Sequence, residues 1–142
     1  MTEVHQVRHK NKTVATLLAF LLGGIGAQRL YLGGLRDRAL WAHLSALPLC
    51  AAASAVWPQA DPFYHLLPII ISGLIGFLEA LIMGLTSDEK WDARHNANSG
   101  RQSASQWPLA VILVASMMLG AGSLIATMSR LFDLLYTGGA YG

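Results

Sequence analysis

Three ionisable side chains stand inside otherwise apolar runs, where a charge is expensive. Arg29 lies in "GGIGAQRLYLGG", His43 in "ALWAHLSALPL" and Glu79 in "GLIGFLEALIMGL". Their types allow two kinds of chemistry. A carboxylate beside a guanidinium is a permanent ion pair that can clasp two segments together. A carboxylate beside an imidazole can hold and relay a proton or ligate a cation. At the centre of a bilayer an unpaired charge costs on the order of 3 kcal/mol or more, so such residues pair, face water or act. The Arg29–Glu79 pair is read first as an architectural clasp. The alternative is an ion or proton path using Glu79, His43 and Arg29. A further reading gives Arg29, Arg36 and Arg38 to a partner or a lipid headgroup.

Other chemistry finds little support. No nucleophile, base and oxyanion donor converge, so no catalytic residue is assigned and the chain is expected not to be an enzyme. The glycine-rich "GGIGAQ" has no preceding strand and lacks the Lys-Ser/Thr pair of a phosphate loop. Asp88, Asp92 and His95 read as a solvated helix face rather than a metal cluster, and no metal or cofactor is expected. Cys50 is the lone cysteine, which excludes an intrachain disulfide or a cysteine zinc site.

The surroundings of these residues define their solvent. Of 142 residues, 54% are hydrophobic and 13% charged, with mean hydropathy +0.44. Soluble domains carry about 25% charged residues. The composition is that of a membrane protein whose first partner is the lipid bilayer. A net charge of +2 gives nucleic-acid binding no support.

The apolar runs predict an all-α integral membrane helical bundle. Residues 1–13 form a polar, basic and mostly disordered lead. Residues 14–27 are apolar but only about 21 Å long as a helix, short of the ~30 Å hydrocarbon core. Residues 39–57, 63–85 and 107–128 are long enough to span. The polar stretch 86–106 begins with the capping-box spacing of Thr86 and Glu89. It predicts an interfacial helix to about Asn96, with Trp91 dipping toward lipid, and then a flexible linker. The chain divides into the lead 1–13, a membrane domain 14–85, the polar connection 86–106, and a further span with its tail, 107–142. Pro48 should kink the second apolar segment.

The ten Lys and Arg residues arbitrate topology. If the first segment dips in and returns, nine lie on the cytoplasmic side and only Arg130 outside. If it spans, the split is four to six. The positive-inside rule prefers the first arrangement. The reading is therefore a short re-entrant or tilted first helix, three spans and a cytoplasmic N-terminus in a bacterial inner membrane. A full first span through Leu32 stays open. So does a secretory signal peptide, which the three later spans argue against. In the favoured topology Glu79 is roughly 9 Å deep and His43 roughly 6 Å, both from the cytoplasmic side. The glycines around Arg29 let the chain turn at a matching depth.

Small residues recur every fourth position on two segments: Ser72, Gly76, Ala80 and Gly84 on one, and Ala42, Ala46, Cys50 and Ser54 on the other. Such faces let backbones approach closely in lipid. The two are expected to pack on one another as a hairpin, with a homo-oligomer contact as the alternative.

"NKTVATLLAFLLGGIGAQRLYLGG" resembles the TM2 (two-transmembrane) domain family. Lys10 and Lys12 match its basic lead, and Gly26, Ala27, Arg29, Tyr31, Leu32 and Gly33 match its signature. Gln28 stands where the family has His or Asp, and Leu30 where it has Phe. Glu79 matches the family's late acidic residue. The resemblance implies a small membrane domain and no particular activity. The expected role is a non-enzymatic scaffold or interaction module, working with an unknown membrane-protein partner or as a homo-oligomer.

Overall fold

The computed structural model describes residues 8–142. The expectation of disorder for residues 1–7 lies outside the described residues. Within them the chain is all-helical, with 78% of residues in helices and no strand. The first apolar segment forms α1 (Lys12–Leu22), a 3-10 turn (Gly23–Ile25) and α2 (Ala27–Gly33). The next forms α3 (Arg38–Leu44) and α4 (Ala46–Val56). Then follow α5 (Pro62–Leu85), the short α6 (Asp88–His95) and α7 (Trp107–Thr137). Three stretches are long and apolar enough to cross a membrane: Arg38–Val56, Pro62–Leu85 and Trp107–Thr137.

Side chains are distributed for an apolar solvent. Large residues such as Leu78, Ile82, Met118 and Ile125 face outward, whereas Ala15, Ala19, Ala46, Ala80, Thr16, Ser72 and Ser116 are buried. Lipid offers no hydrophobic drive between helices, so association relies on close packing of small residues and on internal hydrogen bonds. The hub is α5, against which α1, α4 and α7 all pack. Asp61 caps its start by accepting from the Phe63 amide at 2.9 Å, and Pro62 sits at a position where a missing N–H costs little. Pro48 leaves the Leu44 carbonyl without its usual donor, and helical structure breaks nearby at Ser45, between α3 and α4.

Helices α1 and α2 form a hairpin that returns to the end from which it began. Lys12 Nζ donates to the Thr86 carbonyl at 2.7 Å, which ties the start of α1 to the end of α5. At the tip, the Gly24 carbonyl accepts from Ser72 Oγ at 2.6 Å. From Thr86 back to Ser72 is about 21 Å of helix, less than the ~30 Å core. The chain then comes back. Tyr31 Oη accepts from the Asn11 amide at 2.9 Å, and the Tyr31 carbonyl accepts from Lys10 Nζ at 2.8 Å. The end of the bundle holding Lys12, Arg38 and Thr86 is called the basic end below.

A polar knot closes that end and corrects four expectations. Residues 9–12 are held rather than loose: Asn96 Oδ1 accepts from the Lys10 amide at 2.6 Å, and Trp91 Nε1 donates to the Lys10 carbonyl at 2.9 Å. Trp91 is thus buried in protein, at 2% exposure, and does not dip into lipid. The cap of α6 is Ser87, not Thr86, whose hydroxyl donates instead to the Ile82 carbonyl. The following linker is tied back by Asp92, which accepts from the Ser103 amide at 2.6 Å, and by Asp88, which accepts from the Ser105 amide at 2.8 Å. Lys12 meets Asp88 at 2.6 Å. Partial desolvation opposes the Asp88 carboxylate, but hydrogen bonds from Lys12 and Ser105 outweigh it and lower its pKa from 3.8 to about 2.

Helix α7 runs beyond the expected end at residue 128 to Thr137. At the opposite end of the bundle Arg130 bridges Asp61 at 2.9 Å and Asp133 at 2.8 Å.

The α1–α2 and α5 contact depends on two glycines facing each other. A Cβ on Gly76 would lie 2.6 Å from the Gly23 Cα. Gly76→Ala is therefore expected to destabilise by about 1–3 kcal/mol, the usual range for overpacking. Gly73→Ala, where a Cβ meets nothing within 4 Å, is expected to leave the melting midpoint in detergent unchanged or raise it. Equal midpoints for Gly76→Ala and the parent would contradict this packing.

Candidate functional site: a buried clasp between the hairpin and the central helix

The hairpin's turn sets the site. Gly26 has φ 75°, a left-handed conformation that glycine adopts without a side-chain penalty, and a Cβ there would lie 3.0 Å from the His43 Cβ. The turn starts α2 at Ala27, which places Gln28 and Arg29 in its first turn. Both point at Glu79 on α5.

The carboxylate is engaged at both oxygens. Glu79 Oε1 accepts from Arg29 Nη2 at 2.6 Å and from Arg29 Nε at 3.1 Å. Glu79 Oε2 accepts from Gln28 Nε2 at 2.6 Å and from Arg29 Nε at 3.0 Å. Arg29 also faces Asp37 at 3.9 Å. The Glu79 side chain is 12% exposed and Gln28 is fully buried. A forked guanidinium on a carboxylate, joined by an amide, is a strong and oriented arrangement.

A second chain of hydrogen bonds ends at the same carboxylate. The Gly24 carbonyl oxygen can only accept, so the Ser72 hydroxyl donates to it. Ser72 Oγ then accepts from His43 Nδ1 at 2.7 Å. The imidazole Nε2 faces Glu79 Oε1 at 3.6 Å. In neutral His43 with Nδ1–H, this nitrogen is an acceptor; when protonated, it is a donor toward Glu79.

Arg29, His43 and Glu79, which the sequence singles out, are brought together, with Gly26 and Ala27 forming the turn. Tyr31 and Gly33 lie at the return of the hairpin, away from the carboxylate. Ser72, Gly76, Ala80 and Gly84 form one buried face of α5. Ser72 of this face bonds His43 of α3, but two of its other members face elsewhere. Gly76 meets Gly23, and Gly84 meets Leu113 of α7. Ala42 and Ser54 remain exposed, Cys50 is half-buried, and of that ladder only Ala46 is buried. The hairpin inserts against the small face of α5 and leaves α4 a shallower seat. Two members of the site escape the sequence reading. Gln28 is legible there only as a departure from a family pattern, and Ser72 only as a small residue.

The family model described as TM2 domain matches residues 8–50. This stretch, under a third of the chain, is similar to a TM2 domain. No curated protein and no solved structure matches the chain. The matched stretch contains the knot residues Lys10 and Lys12, the whole hairpin, and α3 with part of α4. Glu79 lies beyond it, so the matched stretch supplies the cation and α5 supplies the anion.

Proposed function

We propose that this membrane protein is a non-enzymatic scaffold or interaction module. The observation that carries the reading is the engagement of both Glu79 oxygens by Arg29 and Gln28. A carboxylate so committed holds the hairpin to α5 and is poorly free to bind and release an ion. The partner is another membrane protein, or a second copy, approached through α4. Among the described residues that helix packs mainly on α5, and it leaves Leu47 and Val56 exposed.

A second reading, proton passage, draws on the His43–Glu79 approach at 3.6 Å. Two measurements separate them. Proteoliposomes are expected to show no proton flux above empty liposomes. A photo-crosslinker at Ala52 on α4 is expected to give discrete adducts that survive in the Arg29→Leu/Glu79→Leu double variant. Flux abolished by Glu79→Gln, or absence of any adduct, would overturn the scaffold reading.

The proposed setting is a bacterial inner membrane with the basic end cytoplasmic. Support comes from the nine-to-one split of Lys and Arg for a returning first segment, and the bacterial setting rests on the family resemblance. In a Cys50→Ser background, a membrane-impermeant maleimide on intact cells is expected to label Tyr141→Cys and spare Gln102→Cys. Labelling at position 102 from outside would reverse the orientation.

A further inference from the structure

A groove of about 500 Å³ runs between α3–α4 and α5. One wall is built from the small residues Ala39, Ala42 and Ala46, the other from the bulky Leu67, Ile71 and Ile75. On the α3–α4 side it extends from Ala39 to Leu49, about 15 Å of helix. That matches one leaflet's share of a ~30 Å hydrocarbon core. The groove lies between two membrane-spanning stretches and is lined mainly by apolar side chains.

Its mouth at the basic end is cationic. Arg38 opens α3 and immediately precedes Ala39, and Arg36 ends the short 3-10 turn Gly34–Arg36 just before it. Both arginines are exposed, and neither forms a salt bridge among the described residues. Asp37 between them is turned to other work, since its Oδ1 accepts from the Ala39 amide at 2.8 Å and its Oδ2 faces Arg29. Trp41, 56% exposed, donates from Nε1 to the Leu35 carbonyl at 2.9 Å beside the same mouth. An amphipathic indole belongs at headgroup level. A headgroup-level pair of exposed cations therefore adjoins an apolar furrow one leaflet deep.

We infer that the groove holds an acyl chain of an anionic phospholipid whose phosphate sits on Arg36 and Arg38. The inference rests on the membrane-spanning helices and is independent of the scaffold reading. Guanidinium groups bind phosphate oxygens in forked pairs, and the small wall gives the chain room that larger side chains would fill. Each cation near an anionic surface contributes about fivefold in affinity, so two give about 30-fold.

The test uses the full chain in micelles containing equal phosphatidylglycerol and phosphatidylcholine, with bound lipid counted by native mass spectrometry. The parent is expected to retain one phosphatidylglycerol at about 30-fold preference. Arg36→Gln/Arg38→Gln should bring the preference close to unity. Lys90→Gln/Arg94→Gln, which removes two cations of α6 away from the groove, should leave it intact. Ala42→Phe should reduce retention of both lipids by filling the groove, with an unchanged melting midpoint certifying its fold. Loss of preference in the α6 pair equal to that in the Arg36/Arg38 pair would reduce the effect to general surface charge and overturn the site. Undiminished lipid on a folded Ala42→Phe variant, or no preference in the parent, would overturn it as well.

Discussion

Two opposite charges placed at membrane depth can be accommodated only together, and the architecture follows from bringing Arg29 to Glu79. Glu79 projects from an otherwise apolar α5, and the nearby His43 imidazole stands at 3.6 Å, beyond hydrogen-bond reach. Arg29 must therefore arrive from elsewhere in the chain, at the right depth and on the right side. The α1–α2 hairpin is the device that delivers it. Its rise is set by α1, its reversal by Gly26, and its close seat by the facing glycines at 23 and 76. A helix that simply crossed would carry Arg29 to the far side of the bundle, away from its partner.

Two further hydroxyls of the interior are disposed in the same spirit. Thr16 returns its hydroxyl to the Lys12 carbonyl at 2.8 Å, and Ser72 bridges His43 to the hairpin tip. Each bond removes an otherwise unsatisfied group from an apolar medium, where it would cost several kcal/mol. The basic end is closed by the knot of Lys10, Lys12, Asp88, Trp91 and Asn96. This fixes both feet of the hairpin and hence the height of Arg29. The hairpin occupies the small face of α5, and the groove lies beside it, between α5 and α3–α4.

Much of this was legible in the sequence, and the rest was hidden for identifiable reasons. Apolar length gave the three spans, and the cost of lone charges in lipid pointed to Arg29, His43 and Glu79. The brevity of residues 14–27 pointed to a returning segment. A four-residue spacing marks the small face of α5 correctly, but periodicity cannot say which neighbour claims that face. Trp91 carries the same local signal whether it enters lipid or a protein pocket; only the distant Lys10 carbonyl decides. The Asp61–Arg130 bridge joins residues far apart in sequence, and the 128-residue end assumed for the last span cut Arg130 off from its helix. An amide costs less in lipid than a charge, so Gln28 carries a weaker signal in the sequence, yet it supplies one of the shortest bonds to Glu79.

The central claim is that Arg29 and Glu79 stabilise the fold as a pair. A double-mutant cycle in detergent, reading unfolding free energy for Arg29→Leu, Glu79→Leu and both together, tests it most directly. Breaking a buried pair from one side typically costs about 3–5 kcal/mol, whereas replacing both partners with apolar groups can be nearly neutral. The account predicts that each single variant is strongly destabilised and that the double variant recovers most of the loss. Simple additivity of the two single effects would contradict it.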